Sequence, residues 1–299
     1  MIPTYNTGKF LEQTLRSILD QDPGPENMQI EVIDDCSTTD DPEKIVRRIG
    51  GERISFYRKR ENEGAVKNFN TCVSRSKGEL VHILHGDDYV LLGFYEEIQK
   101  VAERNPDVSG FFSRSFVISE DGSLEVLSAK IDGLLSPSNR IPRELMYYND
   151  IKTPGVVIRK KFYDEYGGFV EFLPHVADWE MWTRCISMGK GIFVNKPLSC
   201  YRSFASNDTG KLARSGDNIR DKIKLAAYMS ARSSSFNQKT FIEHAAESAK
   251  LQFKYFSRNG DKQSASNNYL LWKELTGSRS LKERLSLTYH ALLQIWKNN

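Results

Sequence analysis

The chain has 299 residues, 39% hydrophobic and 27% charged, with a formal net charge of +3. That is the profile of an ordinary soluble globular protein and argues against disorder. No apolar run approaches the roughly 18 residues of a membrane span, and the start lacks the basic and apolar regions of a secretory signal. Four scattered cysteines (Cys36, Cys72, Cys185 and Cys200) lack metal-ligand spacing and read as reduced structural thiols, which fits the cytoplasm. Charge is uneven: from Lys211 onward there are 16 Lys and Arg against 7 Asp and Glu, whereas the rest is net acidic. The asymmetry divides the chain into residues 1–210 and a basic region, 211–299. No nucleic-acid motif accompanies the basic part, so no nucleic-acid partner is expected.

The first part alternates short apolar runs with helical periodicity. Pro3, Thr4, Tyr5 and Asn6 end a first strand preceded only by Met1 and Ile2, so either that strand is unusually short or residues precede it. Leu11, Leu15, Ile18 and Leu19 then fall on one helical face. "QIEVIDD" (29–35) is strand-like, and "PEKIVRRI" (42–49) is a helix with proline at its start. "RISFYR" (53–58), "AVKNFNTCVSRS" (65–76), "ELVHIL" (79–84) and "LLGFYEEIQKVAERN" (91–105) continue as strand, helix, strand and helix. This alternation predicts an α/β domain with a mixed, mainly parallel sheet flanked by helices. Further on, 109–128 reads as two strands with a turn at Glu120-Asp121-Gly122. Residues 153–169 read as strand then helix, and 178–189 as a helix. Helices dominate after residue 211.

Ligands of such sheets bind beyond the carboxyl ends of the strands. Three predicted strands end in polar residues: Thr4-Tyr5-Asn6, Asp34-Asp35 and Asp87-Asp88. The last doublet lies in "LVHILHGDDYV" (80–90), between apolar residues. Adjacent carboxylates repel, and burying them is costly. The arrangement makes sense if a divalent cation neutralises it, since hard cations take oxygen ligands of this kind.

The motifs "IPTYN", "VIDDCSTTD", "ENEGAVKNFN", "SKGELVHILHGDD", "GVVIRKKFYDEYGGF" and "DWEMWTR" follow one another in this order. Together they resemble the family 2 glycosyltransferases of the GT-A fold over roughly residues 1–205. The resemblance implies an enzyme that moves a sugar from a UDP- or dTDP-sugar to an acceptor hydroxyl with inversion, with a GT-A domain over 1–210 and a helical appendage over 211–299. It implies that Thr4, Tyr5 and Asn6 line the base pocket, with Tyr5 stacking on the pyrimidine. Asp35, with Asp34 beside it, accepts the base N–H. Asn62, Gly64 and Lys67 shape the donor edge. His85, Gly86 and Asp87 meet the donor, Asp87 and Asp88 hold Mn2+ or Mg2+, and Asp178 is the catalytic base. The chain departs from the family pattern in three places. His85 stands at the first Asp of Asp-x-Asp-Asp, Ala177 replaces an acid before Asp178, and Phe204 of "YRSF" stands where His is frequent.

Several residues carry two readings. Asp178 is a helix N-cap if it is not the base. His82 reads as a core residue, and Trp179 as either core or acceptor border. His175 reads as either an acceptor contact or a loop residue. A non-catalytic nucleotide-sugar-binding protein is the alternative function, and a nucleotidyltransferase is disfavoured because "IPTYNTGKF" lacks a Gly-rich, basic phosphate loop. The family tendency is bacterial surface polysaccharide or glycolipid synthesis, with a saccharide or lipid-linked saccharide as acceptor. Residues 218–231, 241–258 and 281–297 show helical periodicity. The last, basic and amphipathic, is expected either to contact the inner face of the membrane peripherally or to pack within the protein or a homodimer.

Overall fold

A computed structural model of the chain describes residues 1–131, 134–135, 143–204, 208–232 and 236–277. In chain order its elements are β1 (Ile2–Thr4), α1 (Gly8–Leu19), β2 (Glu31–Asp34), α2 (Pro42–Gly50), β3 (Ser55–Arg58), α3 (Ala65–Arg75), β4 (Leu80–His82), β5 (Tyr89–Val90) and α4 (Phe94–Arg104). They continue with β6 (Gly110–Ile118), β7 (Leu124–Leu127), β8 (Leu134–Leu135), α5 (Arg143–Tyr147), a 3-10 turn at Thr153–Gly155, β9 (Val156–Arg159), α6 (Lys160–Tyr166), α7 (Ala177–Met188) and β10 (Gly191–Arg202). Four helices follow: α8 (Asp208–Ser215), α9 (Asp217–Ser230), α10 (Gln238–Arg258) and α11 (Lys262–Thr276).

Two units emerge. The first comprises residues 1–169 and 178–203; the second comprises 170–177 and the chain from Phe204. In the first, β1, β2 and β3 pair in parallel in the order 1-2-3. The segment after β4 continues this pattern on the far side of β1: Leu84 N–H donates to Met1 O (3.0 Å) and Gly86 N–H to Pro3 O (3.1 Å). The remaining seven strands form the path β4-β9-β6-β10-β5, with β7 added to β6 and β8 to β10; β6 and β10 are parallel and the other neighbours antiparallel. The sheet is therefore mixed, parallel through the β1–β3 half and largely antiparallel beyond it. Leu11, Leu15 and Ile18 of α1, Val46 of α2, and Phe94 and Ile98 of α4 close over Ile2, Val32, Leu84 and Phe111 in a single core. Each such apolar side chain contributes roughly 1.5–3 kcal/mol by leaving water.

Strand β10 was not predicted. Its "NKP" (195–197) breaks the alternation of apolar residues, and the ladder to β6 shifts register on both sides of Pro197. The described residues of the second unit from 208 onward are mainly helical, as the periodicity predicted for 218–231 and 241–258. Helices α10 and α11 carry side-chain N-caps from Asn237 and Asp261. The predicted helix at 281–297 lies outside the described residues. No helix among the described residues is long and apolar enough to cross a membrane.

Candidate active site

The parallel pairing brings four chain ends to one rim. Asp35 N–H donates to Thr4 O (2.9 Å), Lys59 N–H donates to Asp34 O (2.9 Å), and Gly86 follows Thr4 on the other side. Thr4, Tyr5, Asn6, Asp34, Asp35, His85, Gly86, Asp87 and Asp88 thus lie along the carboxyl ends of adjacent strands. Thr4 is buried and its hydroxyl meets that of Thr7 (2.5 Å), while Tyr5 is 40% exposed and offers a ring face. Asn6 has a left-handed backbone (φ 54°), and its side-chain oxygen accepts the N–H groups of Thr38 (2.8 Å) and Thr39 (3.0 Å). It locks the turn after β1 to the turn after β2. Gly86 is needed where it stands, since a Cβ would lie 2.5 Å from Thr7 Oγ1 and 2.9 Å from Thr4 Oγ1.

Each carboxylate of the first doublet has donors within the protein. Asp34 is buried and accepts from Ser37 N–H (3.1 Å) and Ser37 Oγ (2.5 Å), with Arg58 at 3.3 Å. Asp35 is also buried and accepts from Glu63 N–H (3.2 Å) and Gly64 N–H (2.8 Å), with the buried Lys59 ammonium at 3.2 Å. Gly64 has φ +90° and starts α3, so this carboxylate also caps the helix. Asn62 is exposed just before that start, and Lys67 is exposed in the first turn. Asp34 is thereby turned into its own turn, whereas Asp35 holds the α3 terminus.

The second doublet differs. Asp88 is 1% exposed, and one of its oxygens accepts the backbone N–H of Arg202 (2.8 Å). Its other oxygen, Oδ2, is buried without a hydrogen-bond partner and lies 3.7 Å from His85 Nδ1. Desolvation, and then the neighbouring Asp87 charge, push the Asp88 carboxyl well above the usual range. His85, Asp87 and Asp88 each offer a ligand atom, all within 4.8 Å of one another. An orphaned buried carboxylate oxygen beside an imidazole and a second acid fits a divalent cation. The residues present therefore suit Mn2+ or Mg2+, held by Asp87 and Asp88.

Two residues unnoticed in the sequence build this corner. The Thr14 hydroxyl of α1 donates to Asp88 O (2.7 Å) and lies 3.1 Å from Gly86 O. The Arg202 guanidinium donates to Asp87 O (3.0 Å) and to Gln13 Oε1 (2.7 Å), and stands 4.5 Å over the Phe10 ring. A buried threonine and an arginine at a strand end leave no local signature, because their targets are carbonyls far away in sequence.

Asp178 is the second residue of α7 rather than its cap. Its Oδ2 accepts from Asn149 Nδ2 (3.0 Å), its Oδ1 from Trp179 N–H (2.6 Å), and the Thr153 hydroxyl is a further donor. Desolvation nevertheless raises its pKa, against the pull of these donors and of the Lys152 charge. His82 is half-buried and satisfied within the protein, in line with the structural reading. Its Nε2 donates to Pro154 O (3.1 Å), so Nδ1 accepts from Tyr95 OH (3.3 Å), and burial holds its pKa down at about 3. The 3-10 turn therefore touches both β4, through Pro154, and Asp178, through Thr153. Trp179 packs inside, 3% exposed, with its indole N–H donating to Leu145 O (2.7 Å), which is the core reading. His175 belongs to the second unit. Its backbone N–H donates to Asp221 (2.9 Å), and burial, reinforced by Lys222, lowers its pKa to about 4.

The family model "Glycosyl transferase family 2" matches residues 1–157, more than half of the chain. The chain belongs to glycosyl transferase family 2. Among curated relatives of this glycosyltransferase, the uncharacterized protein MT1568 of Mycobacterium tuberculosis is 28% identical over 239 residues, 76% of this chain and 74% of that one. The poly(ribitol-phosphate) beta-N-acetylglucosaminyltransferase TarS of Staphylococcus aureus is 30% identical over 92 residues, 30% of this chain and 16% of that protein. A crystal structure of TarS residues 1–349 with UDP shares the fold at a TM-score of 0.58 and 15% identity, covering 94% of this chain and 91% of that one. The mannosyltransferase PcManGT of Pyrobaculum calidifontis, solved with GDP-Man and Mn2+, aligns at a TM-score of 0.56 and 17% identity over 99% of this chain and 80% of its own. The fold is thus GT-A, and the protein is a glycosyltransferase.

Proposed function

We propose that this glycosyltransferase moves a sugar from a UDP- or dTDP-sugar to an acceptor hydroxyl with inversion, aided by Mn2+ or Mg2+. The observation that carries the reading is the orphaned, buried Asp88 Oδ2 beside His85 and Asp87, at the rim where Thr4 and Asp35 end their strands. A divalent cation held by Asp87 and Asp88 would offset the negative charge of the departing nucleoside diphosphate.

The chain's own residues supply the rest. Tyr5 gives the base a stacking face, and Asp35 presents acceptor oxygens to a pyrimidine N–H. Lys67, exposed in the first turn of α3, adds positive charge on the donor edge with Asn62 and Gly64. Asp178 takes the proton of the acceptor hydroxyl as it attacks. Its raised pKa makes it a stronger base than an exposed carboxylate, and the Asn149 amide keeps one oxygen oriented. The solved relatives include one with UDP and one with GDP-Man, so the fold accepts more than one base. The Tyr5–Asp35 pocket is what favours a pyrimidine here.

The TarS likeness supports an acceptor in bacterial surface polysaccharide synthesis, with the protein working on the cytoplasmic side and a lipid-linked saccharide as an alternative acceptor. The purified full chain, given a panel of nucleotide sugars with and without Mn2+, tests the reading. Metal-dependent release of UDP or dTDP supports it. Donor binding with no release under any condition supports the non-catalytic binding protein instead.

A further inference from the structure

We propose that His85 is itself a ligand of the divalent cation, through an imidazole nitrogen, and that it biases the site towards Mn2+ over Mg2+. This rests on the metal reading above and goes beyond it to the identity of the third ligand and of the ion. Three observations carry it. First, the ring is held in place: it stacks on Phe69 with centroids 4.9 Å apart and planes at 11°, and Phe69 is braced edge-on by Phe169 at 5.5 Å. A side chain fixed in this way loses little freedom when it binds an ion. Second, its Nδ1 is 3.7 Å from the Asp88 oxygen that has no hydrogen-bond partner. Ligands about 2.0–2.2 Å from one ion stand roughly 3–4.4 Å apart, so this spacing fits two ligands of the same ion. Third, Asp88 cannot swing away to a position of its own. Its second oxygen is fixed on Arg202 N–H, and its backbone carbonyl on Thr14.

The choice of ion follows from the ligand. Mg2+ is hard, favours oxygen and gives up water reluctantly, whereas imidazole suits first-row transition ions. An imidazole where the family pattern has a carboxylate also removes one negative charge, which weakens the pull on Mg2+ further.

The test uses the full chain with Mn2+ and UDP. Pulsed electron paramagnetic resonance should show a nitrogen-14 coupling to bound Mn2+ that is absent in His85→Ala and His85→Asp. Direct titration of each ion in the presence of UDP should show the Mn2+ over Mg2+ preference falling about 10–100-fold in His85→Asp, the scale on which even outer contacts to a metal act. Circular dichroism of His85→Asp checks that the variant is folded. Mn2+ bound with UDP but giving the same spectrum in wild type and both variants overturns the His85 assignment and leaves the Asp87–Asp88 reading standing. If wild type with UDP takes up no Mn2+, the metal reading falls together with it.

Discussion

The two aspartate doublets look alike in sequence and differ in structure. Asp34-Asp35 and Asp87-Asp88 both end parallel segments at the same rim, and both bury carboxylates. The first pair is balanced from within, by Arg58, Lys59, the Ser37 hydroxyl and three backbone N–H groups. At the second, Asp88 receives one backbone N–H, and its other oxygen has no hydrogen-bond partner. On the proposed reading the first, closed pair chiefly holds the chain, whereas the second, open at Asp88 Oδ2, takes a cation that comes with the substrate. Breaking each pair should therefore fail in a different way.

The largest effect should come from the open pair. Asp87→Ala is expected to abolish measurable sugar transfer while leaving the thermal midpoint within a few degrees of wild type. Transfer assays with Mn2+ and with Mg2+ check the first part and calorimetry the second. Near-normal turnover with either ion would remove the cation from this corner. Asp178→Asn comes next: loss of a general base lowers kcat by about 10²–10⁴-fold. It should not destabilise the fold, and the sign follows from its raised folded-state pKa. For such a group, folding favours the neutral form. Its stabilising contribution is complete below the ordinary value of 3.8 and is lost as pH rises through the raised one. At pH 7 the neutral amide therefore relieves a burial cost. Equal turnover in wild type and Asp178→Asn would assign Asp178 a structural role only.

The closed pair should fail in stability first. Lys59→Met removes the ammonium from a buried carboxylate, a change that typically costs about 3–5 kcal/mol. For a unit of this size that is a fall in Tm on the order of 10 °C. The same variant should bind UDP more weakly, because Asp35 then loses the partner that fixes it beside the α3 terminus. Scanning calorimetry with and without UDP separates the two effects. A Tm unchanged by Lys59→Met would mean that the two backbone N–H groups alone hold Asp35.

What the sequence made legible and what it did not follows the same division. Alternating β and α periods and the polar strand endings are local, and they located the rim. The contrast between the doublets is not local. Lys59 sits in a charged stretch, "YRKREN", where nothing distinguishes a buried lysine from its exposed neighbours. Thr14 reads as one more helix residue, yet it braces Asp88 across more than seventy positions. Strand β10 was hidden by its Pro197 irregularity, and with it the Arg202 N–H that fixes Asp88. Trp179 carried two readings in the sequence, and its burial and its bond to the Leu145 carbonyl, 34 positions away, are not local either.

Asp178 lies between the two patterns: it has donors, yet burial still raises its pKa. Asn149→Ala probes that balance and should give the smallest effect. The Asn149 amide donates to Oδ2, the oxygen opposite the one that faces Trp179 N–H. A hydrogen bond to a charged group contributes about 1.5–3 kcal/mol, but the Thr153 hydroxyl and nearby Lys152 remain to offset part of the loss. A drop of about tenfold in kcat is expected because the carboxylate loses part of its orientation, with KM for the donor unchanged, since the proposed donor contacts lie with Tyr5, Asp35 and the Asp87 corner. The pH profile gives the sharper readout. Asn149 favours the ionised carboxylate, so removing it raises the Asp178 pKa further. Because the base must be ionised, the acidic limb of kcat should move to higher pH in Asn149→Ala than in wild type. A lower kcat with an unmoved limb would mean that Asn149 positions some other part of the acceptor side and leaves the base alone.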